Sequence, residues 1–444
     1  MILFIILNFI TLTLLSLVFS SISILVIGSI GLLILLYFSK NENQKLFNGL
    51  SLIFLISIFL MIVLYFGYIS KYGTPYYIGG SDDLSFENYG KYAINQKYYR
   101  PEQLLQESQF RFYSANGFVW IMSWIIRLSN ILGGYHTITY RVLNIYFNMI
   151  LGMLVFKYFS NHYDFSEKEN LIVLYAITLF PNSLYISIHV FRDTLNILIL
   201  FGIFYLWDIY ISKQRKKYER LLIILITLIL TYISYWLRTQ NLIFIFIIIV
   251  LNIFLKDQKL TSRNSIYFLI AIIFGVASYN YLGVGKQLEY FTGYYTEYIL
   301  NLSEGFSKII FSVNLFPFGI LLRIAYGLVS PLPVHILHVF KMFEDVDVFF
   351  QVIISIGVIV QIYLLPYLFR NIKYIDKVTL IFWIFFVAMV ITTFTFRHFI
   401  SIYPFMVILI FREFFKASKK RKIVSGIFMT WILVLGASMY LLIK

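Results

Sequence analysis

Apolar runs long enough to cross a bilayer recur from residue 2 to residue 442, parted by short polar joints that carry most of the Lys and Arg. A continuous run of this kind spans the ~30 Å hydrocarbon layer as one α-helix, whereas a membrane barrel shows short alternating strands. The pattern predicts an all-α polytopic membrane protein with about 13 transmembrane helices. They fall near 2–20, 22–38, 48–69, 137–158, 170–189, 194–212, 221–237, 241–255, 265–282, 347–369, 378–395, 399–412 and 423–442. No internal repeat or soluble segment interrupts the series, so residues 1–444 are read as a single membrane-integrated domain.

Two longer intervals break the rhythm. The first, 70–136, is polar up to Phe112 and ends in the apolar stretch FVWIMSWIIRLSNILGG, which carries Arg127. It predicts an interfacial helix anchored by Trp120 and Trp124 at headgroup depth, with a further crossing as the competing reading. The second, 283–346, holds an acidic-aromatic stretch (Glu289 to Tyr298) and an apolar run, 309–328, that carries Arg323. The SPLP sequence at 330–333 stops a helix, because proline lacks the N–H donor and clashes with the preceding turn. A re-entrant element or two half-embedded helices fit this interval; two full crossings compete.

Composition narrows the class. Hydrophobic residues make up 60% of the chain and charged residues 13%, half the charged share of a soluble protein at roughly a quarter. The net charge of +15 is concentrated in joints such as Lys213–Lys217 and Lys419–Lys422, where it orients the chain and meets anionic lipid rather than nucleic acid. Thirteen crossings with a cytoplasmic N-terminus put Lys40, Lys45, Lys157, Lys168 and these two clusters inside. The first forty residues lack a basic leader and a small-residue cleavage site, and read as retained spans. With no cysteine, disulfides, thiolate chemistry and Cys-rich metal sites are excluded.

The same topology gathers polar groups on the outer side: Asp82, Asp83 and Glu87 in the first interval; His189, Arg192 and Asp193 in SIHVFRDTLN; Arg238 in YWLRTQN; and Arg397 and His398 in TFRHFISIYP. Ionisable groups beside membrane spans are costly unless they serve a purpose. A carboxylate can take a proton from an acceptor hydroxyl, and arginines can hold phosphate bidentately. The set therefore suits group transfer from a phosphorylated, membrane-anchored donor, since no Walker loop or dinucleotide fingerprint is present. Asp82 or Asp83 is the expected base; Arg192, Arg238 and Arg397 hold phosphate; Asp193 orients a partner or binds acceptor. Glu87, Arg323 and His398 are further substrate-binding candidates. A divalent cation (Mg or Mn) on Asp82 and Asp83 would suit a diphosphate.

Plainer roles compete at each position. Asp82 and Asp83 follow two glycines and can cap a helix; Glu87 can be solvated. Arg192 and Asp193 can be a structural ion pair. Arg238, Arg323 and Arg397 can snorkel to headgroups. His335 and His338 share a helical face but lack an evident third ligand.

At these residues the chain resembles the polyprenyl-phosphate-sugar-dependent membrane glycosyltransferases of the GT-C superfamily, in their protein mannosyltransferase-like branch. Their acidic outer-loop motif is matched by Asp82 or Asp83 with Phe86, Tyr89 and Ala93. Their interfacial helix and the arginine of the next span are matched by residues 116–148, with Arg141 at the arginine. LFPNSLYISIHVFRDTLNILI resembles their next outer turn, with Asp193 at its acidic residue. TFRHFISIYPFMVIL resembles their late segment through Arg397, His398, Tyr403 and Pro404. The resemblance implies a site outside the bacterial plasma membrane that moves a sugar from an undecaprenyl-type carrier to a lipid-linked or surface glycan, alongside other polysaccharide-assembly proteins. Three apolar runs precede the acidic loop where the family has one, and His398 replaces its tyrosine. The related capsule and exopolysaccharide repeat-unit polymerases, acting on undecaprenyl-diphosphate-linked oligosaccharides, therefore stand beside the single-sugar transferases. Transport is a third class, against which the ionisable groups near span ends argue.

Overall fold

The computed structural model describes residues 1–79, 82–107, 115–212, 216–255, 293, 306–314, 318–330, 332–374, 376–392 and 396–443. The expected span 265–282 and, apart from Gly293, the Glu289–Tyr298 stretch lie outside them. The described chain is helical, as apolar backbone in a membrane must satisfy its own hydrogen bonds. It divides into two compact units.

The first unit comprises Met1–Tyr210, Gln214–Ile245 and Phe340–Phe350. Its helices are α1 (Ile2–Val18), α2 (Ile22–Phe38), α3 (Gln44–Tyr72), α4 (Asp82–Asn95), α5 (Pro101–Leu104), α6 (Asn116–Ile131), α7 (Thr137–His162), α8 (Glu167–Thr178), α9 (Pro181–Ser187), α10 (Asp193–Ser212) and α11 (Lys217–Leu237). The long helix α3 starts where the Asn43 side chain accepts the Leu46 N–H and stops at Gly73 in the left-handed region, a conformation glycine adopts without a Cβ penalty. Helix α7 is the buried centre and packs on α2, α3, α8 and α9. Small residues let neighbours close in: a Cβ on Gly31 would stand 2.6 Å from the Tyr146 ring. Several polar side chains of α7 are buried and bridge to neighbouring helices. Tyr146 donates to Asn8 at 2.8 Å, and Asn148 donates to the Thr178 carbonyl at 2.9 Å. That second bond matters because Pro181 forces a 55° break between α8 and α9. The break frees backbone carbonyls, and α7 satisfies them. Asn144 likewise donates to the Ile186 and His189 carbonyls at 3.3 and 3.0 Å.

The second unit comprises Ile211–Lys213, Phe246–Val339 and Gln351–Lys444. After α12 (Asn241–Phe254), which begins in the first unit, it contains α13 (Phe306–Ser312) and α14 (Ile320–Val329). It continues through α15 (Val346–Phe369), which starts in the first unit, and then α16 (Lys377–Thr392), α17 (Phe396–Phe399), α18 (Tyr403–Lys416) and α19 (Lys419–Ile443). One end of this unit is held by Arg412. Its guanidinium donates to Asn371 at 2.8 Å, Asp376 at 2.5 Å and Thr379 at 3.2 Å.

The expected count of about 13 spans is corrected. Among the described residues, six helices are long and apolar enough to cross a membrane, or seven if the bent α8–α9 pair is one span. Five match expected runs: α3, α7, α10, α11 and the Val346–Lys373 helix. The sixth, Ile320–Lys341, falls where a re-entrant element was favoured. The excess came from equating an apolar run with a crossing. Helices α1 and α2 have 17 residues each and α12 has 14. At 1.5 Å per residue, these reach only about 26 and 21 Å, short of the ~30 Å layer. The 399–412 run is shared between α17, a turn and α18. The chain remains an all-α, multi-pass membrane protein.

Candidate functional site

One end of the first unit collects most of the expected polar groups. It is formed by the C-terminal ends of α3 and α11, the N-terminal ends of α4, α7 and α10, and the turn before α10. The opposite end carries simple ion pairs, Lys45–Glu167 at 3.0 Å and Lys157–Glu42 at 3.7 Å.

Helix register separates the adjacent aspartates. Asp82 is exposed, while Asp83, about 100° further round the helix at 3.6 residues per turn, has 0% exposure. The two carboxylates therefore have different surroundings. Among the described residues, no group of three His, Asp or Glu side chains is arranged to hold a metal ion.

Asp83 accepts the Tyr77 N–H at 3.0 and 3.1 Å and the Leu84 N–H at 3.1 Å. Tyr77 opens a short 3₁₀ turn whose next residue, Ile78, has φ +44°, an outlier for a β-branched residue. This turn covers the carboxylate. The Arg141 guanidinium, also 0% exposed, stands 3.8 Å from Asp83. That is an ion pair without a hydrogen bond. Arg141 Nη2 donates to the Pro75 carbonyl, and the guanidinium lies 5.9 Å from the Tyr65 ring. Its Nε and Nη1 are buried with no hydrogen-bond partner. Burial pushes the Asp83 carboxyl above its ordinary value; Arg141 and the Tyr77 N–H oppose the shift, and Glu87 adds to it.

Glu87, one turn after Asp83, is buried on the same face. It accepts hydroxyl protons from Tyr76 at 2.7 Å and Tyr135 at 2.9 Å. Both tyrosines are pushed up by burial and by the Glu87 charge, so they keep their protons and act as donors. His136 caps α7: its Nδ1 accepts the Ile138 N–H at 3.2 Å. Burial and Arg141 lower its pKa, which leaves the ring neutral.

The turn into α10 adds a second set. Asp193, the first residue of α10, pairs with Arg238, which caps the end of α11. Arg192 Nη1 donates to the Leu237 carbonyl at 3.0 Å. The His189 Nδ1–H donates to the Tyr185 carbonyl at 2.7 Å, so Nε2 accepts from the Tyr68 hydroxyl at 3.2 Å. The Tyr77 ring packs edge-on against His189 and Phe191, with centroids at 5.7 and 5.9 Å. Tyr77 thus joins the two sets: its backbone holds Asp83 and its ring holds the His189 turn.

Three expected site residues belong to the second unit. Arg323 is buried on α14 and Arg397 is half-buried on α17; His398 is also on α17, its side chain outside the described residues. The first unit brings together Asp83, Glu87, Arg192, Asp193 and Arg238, and leaves Asp82 at the surface. Tyr76, Tyr77 and Tyr135 are the additions, and Arg141, which the resemblance marked without a role, joins the set. An arginine inside an apolar run was the available signal for Arg141; the Tyr77 contribution is a backbone N–H, which side-chain patterns do not carry.

No family model matches the chain, and no curated protein or solved structure shows significant similarity to it.

Proposed function

We propose that the chain is a membrane glycosyltransferase that takes a sugar from a polyprenyl-linked donor at the outer face of a bacterial plasma membrane, in surface polysaccharide or glycolipid assembly. The carrying observation is the Asp83–Arg141 pair. A fully buried carboxyl with a raised pKa faces a guanidinium whose Nε and Nη1 have no partner. A raised carboxyl is better matched to proton transfer near neutral pH. A guanidinium with open donors suits a phosphate oxygen.

In this reading the acceptor hydroxyl oxygen attacks the anomeric carbon of the donor. The bond from that carbon to the phosphate oxygen breaks, and the polyprenyl phosphate leaves with the electron pair. The hydroxyl proton passes to Asp83. Arg141 offsets charge on the departing phosphate, with Arg238 and Arg192 a short distance along the same end of the unit. Glu87, one turn further along the same face of α4, is held in place by Tyr76 and Tyr135. Substrate entry displaces the Tyr76–Gly79 turn that covers Asp83. Support for an outward site comes from Lys45, Lys157 and Lys216, which lie at the opposite end of the unit, the end the positive-inside rule assigns to the cytoplasm.

The two separated arginine groups, Arg141 and Arg192 with Arg238, favour one second reading: a repeat-unit polymerase whose donor carries a diphosphate. The test is mass spectrometry of lipid-linked and surface glycans in cells with wild type, no protein, or Asp83→Asn at equal membrane abundance. Accumulation of the same lipid-linked precursor in both deficient strains supports transfer, and its size separates a single sugar from a whole repeat. An unchanged profile in both overturns the proposal.

A further inference from the structure

The segment between α3 and α4 holds three buried charges of the first unit. Arg141 and Asp83 are 0% exposed and Glu87 is 1% exposed, and three consecutive residues answer them. The Pro75 carbonyl accepts from Arg141, the Tyr76 hydroxyl donates to Glu87 at 2.7 Å, and the Tyr77 N–H donates to Asp83 at 3.0 and 3.1 Å. The polarity of two of these bonds is that of the two substrates. A carbonyl oxygen sits on the guanidinium where a phosphate oxygen would sit, and an N–H points at the carboxylate where an acceptor hydroxyl would donate. While these bonds last, neither substrate reaches Asp83 or Arg141.

The same segment is built to move. It begins at Gly73 and ends at Gly79, both at φ +72°, a region that glycine enters without a Cβ penalty. Between them Ile78 stands at φ +44° and ψ +46°, a costly conformation for a β-branched residue. Its side chain is 53% exposed, so its own packing does little to offset that cost. Backbone strain persists where the surroundings enforce it, and here the bonds to Arg141, Glu87 and Asp83 do so. Opening would relieve the strain but leave a buried guanidinium short of an acceptor and a buried carboxylate short of a donor. A ligand that supplies both offsets that loss. The base of the segment, by contrast, is fixed: Lys71 at the end of α3 pairs with Asp345 at 2.5 Å and Asp347 at 2.6 Å.

We propose that residues 73–79 form an autoinhibitory strap that occupies the transfer site as a mimic of both substrates, and that the phosphate of a polyprenyl donor opens it by displacing the Pro75 carbonyl from Arg141. The inference rests on the transfer reading for the identity of these ligands. Opening turns at the two glycines and withdraws the Tyr77 N–H, which frees Asp83 for the acceptor hydroxyl only after the donor has arrived. The closed strap lowers the apparent donor affinity in proportion to the fraction of molecules that are open.

Because the chain has no cysteine, the strap can be locked by one engineered disulfide. A Cβ on Gly79 would stand 3.5 Å from the Tyr72 Cβ, within the roughly 3.5–4.5 Å that a disulfide spans. The test is binding of undecaprenyl phosphate in mixed micelles to the full-length Tyr72→Cys, Gly79→Cys protein, oxidised and then reduced, with the cross-link followed by mass. The oxidised protein is expected to bind at least about tenfold more weakly than the same protein after reduction; equal binding by the two would overturn the proposal. A second measurement needs no variant. Hydrogen exchange at the wild-type Tyr77 amide should quicken at least about fivefold with undecaprenyl phosphate, as the open fraction rises, and stay unchanged with undecaprenol, which lacks the phosphate. No change with the phosphate, or an equal change with both lipids, overturns the proposal whether or not the double variant folds and cross-links. Neither measurement uses turnover, so the two proposals fail separately: an unchanged glycan profile removes the transfer reading, and a strap that ignores the phosphate removes this one.

Discussion

Arg141→Met removes the cation facing Asp83 and keeps most of the side-chain volume. At the observed 3.8 Å, the Coulomb term is about 4 kcal/mol with an effective dielectric constant near 20. No direct hydrogen bond is lost between the two groups, so this electrostatic term dominates. The full value is not expected in the unfolding free energy. Once the cation is gone, the carboxyl moves further up and escapes part of the loss by taking a proton. The remaining Asp83–Arg141 coupling should be about 2–4 kcal/mol, at or below the roughly 3–5 kcal/mol for breaking a buried pair. The assay is a double-mutant cycle with Asp83→Asn, read by equilibrium unfolding in mixed micelles. The Arg141→Met cost should be larger at pH 8 than at pH 5, because protonation of Asp83 removes the charge that needs a partner. Additivity of the two substitutions within about 0.5 kcal/mol, or a cost independent of pH, would refute the pairing.

The sign of the pH dependence of Asp83 follows from its raised carboxyl. Its favourable contribution to stability is complete below the ordinary value of 3.8 and is lost as the pH rises through the higher folded value. Wild type should therefore lose stability relative to Asp83→Asn as the pH rises above 3.8, measured by paired unfolding curves; a difference that is flat or of opposite slope contradicts the burial argument. Gly117→Ala places a Cβ against the Trp236 backbone and should cost about 1–3 kcal/mol by overpacking, visible in unfolding of the purified protein. A neutral substitution would mean that α6 and α11 are not in close contact.

The apolar pattern identified the helical membrane class and the long helices α3, α7, α10 and α11, because continuous hydrophobicity is what a bilayer demands. It overcounted crossings, since the pattern does not say where a helix stops. The 17-residue α1 and α2 end at turns that hydropathy does not register, and the α8–α9 run bends at Pro181. The polar positions told which segments meet: the acidic interval, the turn before α10 and Arg238 do share one end of the first unit. They did not tell Asp82 from Asp83, because only helix register decides which of two neighbours is buried. Nor did they reveal Tyr77, whose part is played by a backbone N–H and an aromatic edge.

The most direct test of the central claim uses membranes from cells that lack the protein, which retain whatever lipid-linked precursor it consumes. Purified wild-type or Asp83→Asn protein is added at equal amount, and the precursor is followed by mass spectrometry. The account predicts that wild type consumes the precursor, with a glycosylated product and free polyprenyl phosphate or diphosphate appearing in step, while Asp83→Asn leaves it intact. Equal consumption by both proteins, or none with wild type, would contradict it.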